Sequence, residues 1–159
     1  MDSDIAIMKR FAEYAFSSLE RTCKGITETE ADWRPIDEAN NTRWILNHLA
    51  RITNISLPRI FMGDPKYTPE GWPEDYREQA YGLEKLLADI QTGKDGVLKG
   101  LGSLKSEALA EDIPLWGGTK TREFGIFAYL GEIVTHRGQI AALKGNIMRR
   151  REKDASFLA

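Results

Sequence analysis

The chain has 159 residues, 42% of them apolar and 29% charged, and a formal net charge of -2 at pH 7: enough for one domain with a sizeable core, short for two, and without the basic excess that draws a protein to nucleic acid or an anionic membrane. The single cysteine, Cys23, cannot close an internal disulfide, which points to a reducing, cytoplasmic setting. No uncharged apolar run approaches the roughly 18 residues of a membrane span, and Met1-Asp2-Ser3-Asp4 lacks the basic and apolar regions of a secretory signal.

The first segment, about residues 2–23, reads as a helix. Ile5, Met8, Ala12, Ala15 and Leu19 recur at 3–4 spacing and form one stripe. Ser3 or Asp4 is the candidate cap, and Gly25 follows the end. Residues 24–41 form a long polar connection, with Trp33 and Ile36 expected to pack it down. Asn41 or Thr42 then caps a second helix over about 42–62, on the stripe Ile45, His48, Leu49 and Ile52. Pro58 is expected to kink or shorten it, and Met62-Gly63-Asp64-Pro65 stops it.

A loop follows over 63–75, with Tyr67 and Trp72 as anchors. The third helix is expected over about 74–92, burying Ala80, Leu83, Leu86, Leu87 and Ile90, weakened by Gly93 and Gly96 and continued through Val97, Leu98 and Leu101. A second loop, 102–120, surrounds Ile113-Pro114-Leu115-Trp116-Gly117-Gly118; Trp116 is a candidate pocket wall. The fourth helix runs from about Thr119 or Thr121 to about 145, and Arg149-Arg150-Arg151 is expected in a short solvated helix or tail. No alternating strand pattern of useful length and no repeat is visible. Four amphipathic helices with long connections predict an all-α four-helix bundle over residues 1–159, with room for crossovers.

The chemistry concentrates on the two histidines. From Phe124 to Ile140 only Glu132 and Arg137 carry a formal charge, and Glu132 and His136 stand at i, i+4 on one helical face. A carboxylate buried in a bundle is costly unless paired or coordinated. At this spacing it can share one ion with His136, and His48, on the inward stripe of the second helix, would supply a third ligand. Two imidazoles and one carboxylate suit zinc, nickel or ferrous iron. The competing reading makes His48 and His136 hydrogen-bonded core residues, with Glu132 paired to Arg137 or Arg51. Cys23, at a helix C-terminus, is a poor nucleophile because the helix dipole disfavours a thiolate there. Gly117-Gly118-Thr119-Lys120-Thr121 lacks the spacing of a phosphate loop. Arg137 and Gln139 are expected to hold the fourth helix against its neighbours.

Trp44-Ile45-Leu46-Asn47-His48-Leu49, the stretch Thr27 to Pro35, and Glu132-Ile133-Val134-Thr135-His136-Arg137-Gly138-Gln139-Ile140 together resemble the DinB/YfiT-like superfamily, whose late helix reads H-x-x-x-H-R-G-Q-I. The resemblance runs over nearly the whole chain. It implies a four-helix bundle with a long crossover, a homodimer, and a divalent metal held by three histidines. Carried over by position, the ligands are His48, Glu132 and His136, with Glu132 standing where the family has histidine. The resemblance further implies a metal-dependent enzyme acting on a small-molecule substrate, by hydrolysis of an amide or ester or by transfer of a low-molecular-weight thiol. No separate general base is visible. The alternative is a non-catalytic homodimeric bundle, a binding or structural protein with a structural or degenerate metal site. Phe127, Leu130 and Val134 are the candidate apolar dimer face.

Overall fold

The structure, a computed structural model, describes residues 3–158. It is mostly helical, with one small sheet. The first helix, α1 (Ser3–Cys23), buries Ile5, Met8, Ala12, Ala15 and Leu19 as its periodicity requires. Because α1 already begins at Ser3, Asp4 lies in its first turn rather than capping it. The position ahead of the helix lies outside the described residues.

The polar connection holds a short helix of its own, α2 (Glu28–Asp32). Its start is a capping box: Thr27 Oγ1 accepts from Glu30 N–H and Glu30 Oε2 accepts from Thr27 N–H. Trp33 packs against the core. Ile36 does not; it is 63% exposed.

The second long helical segment has three parts. α3 (Thr42–Arg51) is capped by Asn41, whose Oδ1 accepts from Trp44 N–H. A π-helical turn follows at Ile52–Ser56, and α4 (Leu57–Met62) completes it. The wide turn leaves carbonyls that local side chains satisfy: Thr53 Oγ1 donates to Leu49 O, and Asn54 Nδ2 donates to Ala50 O and to Asp89 O on the facing helix. Pro58 sits at the first turn of α4, where a missing N–H costs least.

The third long helix, α5, spans Leu83–Ser103: it starts later than the expected 74 and runs on through Val97, Leu98 and Leu101 as expected. Residues 74–82 instead carry a 3₁₀ turn at Tyr76–Glu78, which drives Tyr76 fully into the core with Trp72 stacked on it at 4.4 Å. Gly93 and Gly96 do not break α5. Gly93 is required, because a Cβ there would collide with the Thr53 side chain of the π turn. A short α6 (Ser106–Leu109) leads into an antiparallel hairpin of β1 (Asp112–Leu115) and β2 (Gly118–Thr121), with Asp112 opposite Thr121 and Leu115 opposite Gly118. Strands of four residues are too short to show alternation, so the sequence reading missed them.

The last helix, α7 (Arg122–Arg151), begins at the Thr121 cap and carries the basic run in its own last turn rather than in a separate short helix or tail. Arg151 pairs with buried Glu30, and Arg150 lies over the rings of Trp33 and Phe157. α7 packs against α1, α3 and α4, while α5 packs against α1, α3 and the π turn. No described helix is long and apolar enough to cross a membrane.

Candidate metal centre

α3 and α4 run beside α7 in the opposite sense: Ile60 lies near Gly125, and His48 lies near Glu132. His48 stands at the edge of the buried stripe of α3, with 26% of its side chain exposed. Trp44, one turn earlier, stacks on its ring at 5.4 Å and 19° and fixes the imidazole plane. On α7, Ile133 and Ile140 are buried, which puts Glu132 and His136 at the margin of the same seam.

The three predicted ligands converge, although 84 residues separate His48 from Glu132 in the chain. His48 Nε2 lies 3.2 Å and His136 Nε2 3.3 Å from the same Glu132 oxygen, Oε2. The donor atoms of the three residues all fall within 4.8 Å of one another. The imidazoles meet nearly edge to face, with centroids 4.8 Å apart.

Glu132 is not buried, contrary to the expectation; 46% of its side chain is exposed. It sits at the solvent edge of the seam, so the cost of burying a carboxylate is not what demands its partners. The pairings of the competing reading are not formed either. Arg51 Nε donates to Asn47 Oδ1, and Arg137 Nε is buried without a hydrogen-bond partner.

Gln139, expected to brace α7 against a neighbour, instead accepts with Oε1 from His136 Nδ1 at 2.8 Å. That bond places the His136 proton on Nδ1 and leaves Nε2 as a lone pair facing the carboxylate. Two acceptors then confront each other, and a cation between them, proton or metal, resolves the conflict. Burial pushes the His48 pKa below the usual imidazole value; the Glu132 hydrogen bond opposes this, and the charges of His136 and Arg51 reinforce it. At neutral pH the His48 imidazole is therefore neutral, the form a metal site needs. The chemistry of this donor set fits a divalent transition metal.

Elsewhere, Cys23 is buried and its thiol is pushed up to about 11, first by that burial, with Lys144 opposing. It is a packed thiol, not a nucleophile. Trp116 does form a pocket wall: it borders a cavity of about 480 Å³ that also touches Tyr129. Leu130, a candidate for the dimer face, is fully buried, and Val134 packs against the core; Phe127 is 40% exposed.

The sequence profile of the DinB superfamily matches residues 12–140, a span that includes all three donors. The chain belongs to the DinB superfamily. Among solved structures it is similar to one described as the conserved protein of locus from Enterococcus faecalis, with a TM-score of 0.67 and 19% identity, over 90% of this chain and 95% of that one. This likeness concerns the DinB fold alone. No curated protein matches.

Proposed function

We propose that this DinB-superfamily protein holds one divalent transition metal (zinc, nickel or ferrous iron) on His48, Glu132 and His136, and that it is a metal-dependent enzyme acting on a small molecule. The proposed frame is a single domain over residues 1–159, a four-helix bundle with long crossover connections. The observation that carries the reading is the convergence of two Nε2 atoms on one carboxylate oxygen, with Gln139 fixing the far side of one ring. Gathered donors of this kind, one of them oriented by a hydrogen bond on its far side, support a ligand set.

Bound there, the ion would supply Lewis-acid activation of a water or a thiol at neutral pH. The chain's own residues would do the rest. His48 and His136 present neutral nitrogens, Glu132 offsets charge, and Trp44 shields the face of His48. The group has three members and no fourth His, Cys, Asp or Glu among the described residues. Three protein ligands are the usual number at a catalytic zinc, and four at a structural one. This favours an enzyme, either a hydrolase of small amides or esters or a transferase of small thiols, over a structural site. The same reading makes the protein a homodimer through the outer α1–α7 face, where Ile7, Tyr14 and Phe127 are exposed.

The test is metal analysis of untagged protein after reconstitution with zinc, nickel or ferrous iron. About one ion per chain is expected in the wild type, and its loss in His48→Ala, Glu132→Ala and His136→Ala. A wild type that takes up no ion would overturn the reading in favour of a degenerate site on a non-catalytic bundle.

A further inference from the structure

The seam that gathers the donors continues past them toward the hairpin. There the π turn, α4, β1 and α7 enclose the cavity of about 480 Å³, lined by Ser56, Arg59, Ile60, Leu115, Trp116 and Tyr129 among others. That volume lies in the range of small-molecule pockets. Tyr129 precedes Glu132 by three residues on α7, so this wall of the cavity stands roughly 5 Å, about one helical turn, along the helix axis from that donor.

Two features of its wall are unexpected in a merely structural hollow. Trp116 has φ 53°, a left-handed conformation at a residue with a side chain, and Gly117 follows at φ 73°. Asn or Gly makes such a turn with little strain, whereas Trp holds it under backbone strain. The strained residue is nevertheless 60% exposed. The ring is fixed rather than loose: Nε1 donates to Tyr129 Oη at 3.0 Å, and the two rings meet edge to face at 5.9 Å.

The second feature is Arg59. Its Nε donates to Tyr67 O at 2.7 Å, which anchors the guanidinium. It enters none of the ion pairs among the described residues. No residue lining the cavity is acidic. An adjoining cavity of about 360 Å³ shares Arg59 and adds Arg51 and Arg77 against Glu74 and Glu78, so the local excess is cationic. An anchored guanidinium without a carboxylate, beside a rigid aromatic wall, recognises a planar anion.

The geometry points to a binding pocket for a small organic anion, its flat or apolar body on Trp116 and Tyr129 and its carboxylate, sulfonate or phosphate on Arg59. The reacting end would then face His48, Glu132 and His136. Only this last clause rests on the proposed metal function; the pocket itself needs no ion.

The test is calorimetric titration with 1-naphthoate and with its neutral counterpart 1-naphthamide, in EDTA and again with zinc. The wild type should bind the acid at least about tenfold more tightly than the amide in both conditions. Arg59→Gln should abolish that preference, and Trp116→Ala, at an exposed position, should weaken both ligands. Equal binding of acid and amide by the wild type overturns the pocket whether or not Arg59→Gln folds. So does naphthoate binding that disappears in EDTA or in Glu132→Ala but is indifferent to Arg59→Gln; that outcome is direct ligation to the ion and leaves the metal function standing. Arg59-dependent binding by a protein that takes up no metal upholds the pocket and removes the metal.

Discussion

Gln139 determines which nitrogen of His136 faces the seam. With its Oε1 accepting from Nδ1, the neutral ring can offer only Nε2 to an ion. Gln139→Leu keeps the helix but frees the tautomer, and partners of this kind are typically worth about 10–100-fold in metal affinity. A competition titration with a zinc chelator should read that loss, with circular dichroism unchanged; unaltered affinity would make Gln139 a bystander. His48 sets a pH dependence. Its folded pKa lies below the usual value, so the unfolded chain binds more protons between the folded value and about 6.5. The stability it contributes is present above about 6.5 and is lost as pH falls through the folded value. Urea midpoints in EDTA should drop between pH 7.5 and 5.5, and His48→Gln should flatten that drop; an equally steep variant would place the titration elsewhere. The grouping of His48, Glu132 and His136 was legible because the i, i+4 spacing and the stripe of α3 are local patterns, whereas the solvent-edge position of Glu132 depends on how α7 docks. The role of Gln139 also lay within one turn, but a glutamine serves packing and orientation equally well on sequence alone. Arg59 and Trp116 share no local pattern, and only the fold makes them neighbours.

Among the elements, the contact between α5 and the π turn is the most constrained. Thr53 cannot swing away from Gly93, because its Oγ1 bonds to Leu49 O and Ala50 O. Gly93→Ala, which would favour an exposed helix, should here cost about 1–3 kcal/mol by overpacking. Chemical denaturation measures it, and a neutral or stabilising result would show that the helices part freely. Periodicity located the long helices well wherever the core pattern was continuous, as in α1. It failed where local geometry departs from the regular repeat. The π turn hid inside a continuous apolar stripe. The start of α5 lies later than periodicity suggests because a 3₁₀ turn buries Tyr76 and non-helical residues, Ala80 among them, separate it from Leu83. The capping box of α2 was present in Thr27 and Glu30, but five helical residues carry too little periodicity to register.

For the whole molecule, assembly and closure are the properties at stake. Sedimentation equilibrium at micromolar concentration should report twice the chain mass, and Tyr14→Asp combined with Phe127→Asp should return it to the monomer. A wild type that stays monomeric would remove the dimer. The C-terminal region was the least legible part of the chain. Arg151 and Glu30 lie 121 residues apart, and in a run of three arginines, two of them exposed, nothing local shows that Arg150 lies over the touching rings of Trp33 and Phe157. The donor set has the same long-range character, with a different consequence. His48 leaves the ribosome 84 residues before Glu132, and both α7 donors are made after α3 and α5 are complete. No nascent or truncated chain lacking α7 can assemble the three donors. The donors, and with them the proposed ion, can come together only once α7 has docked against α3.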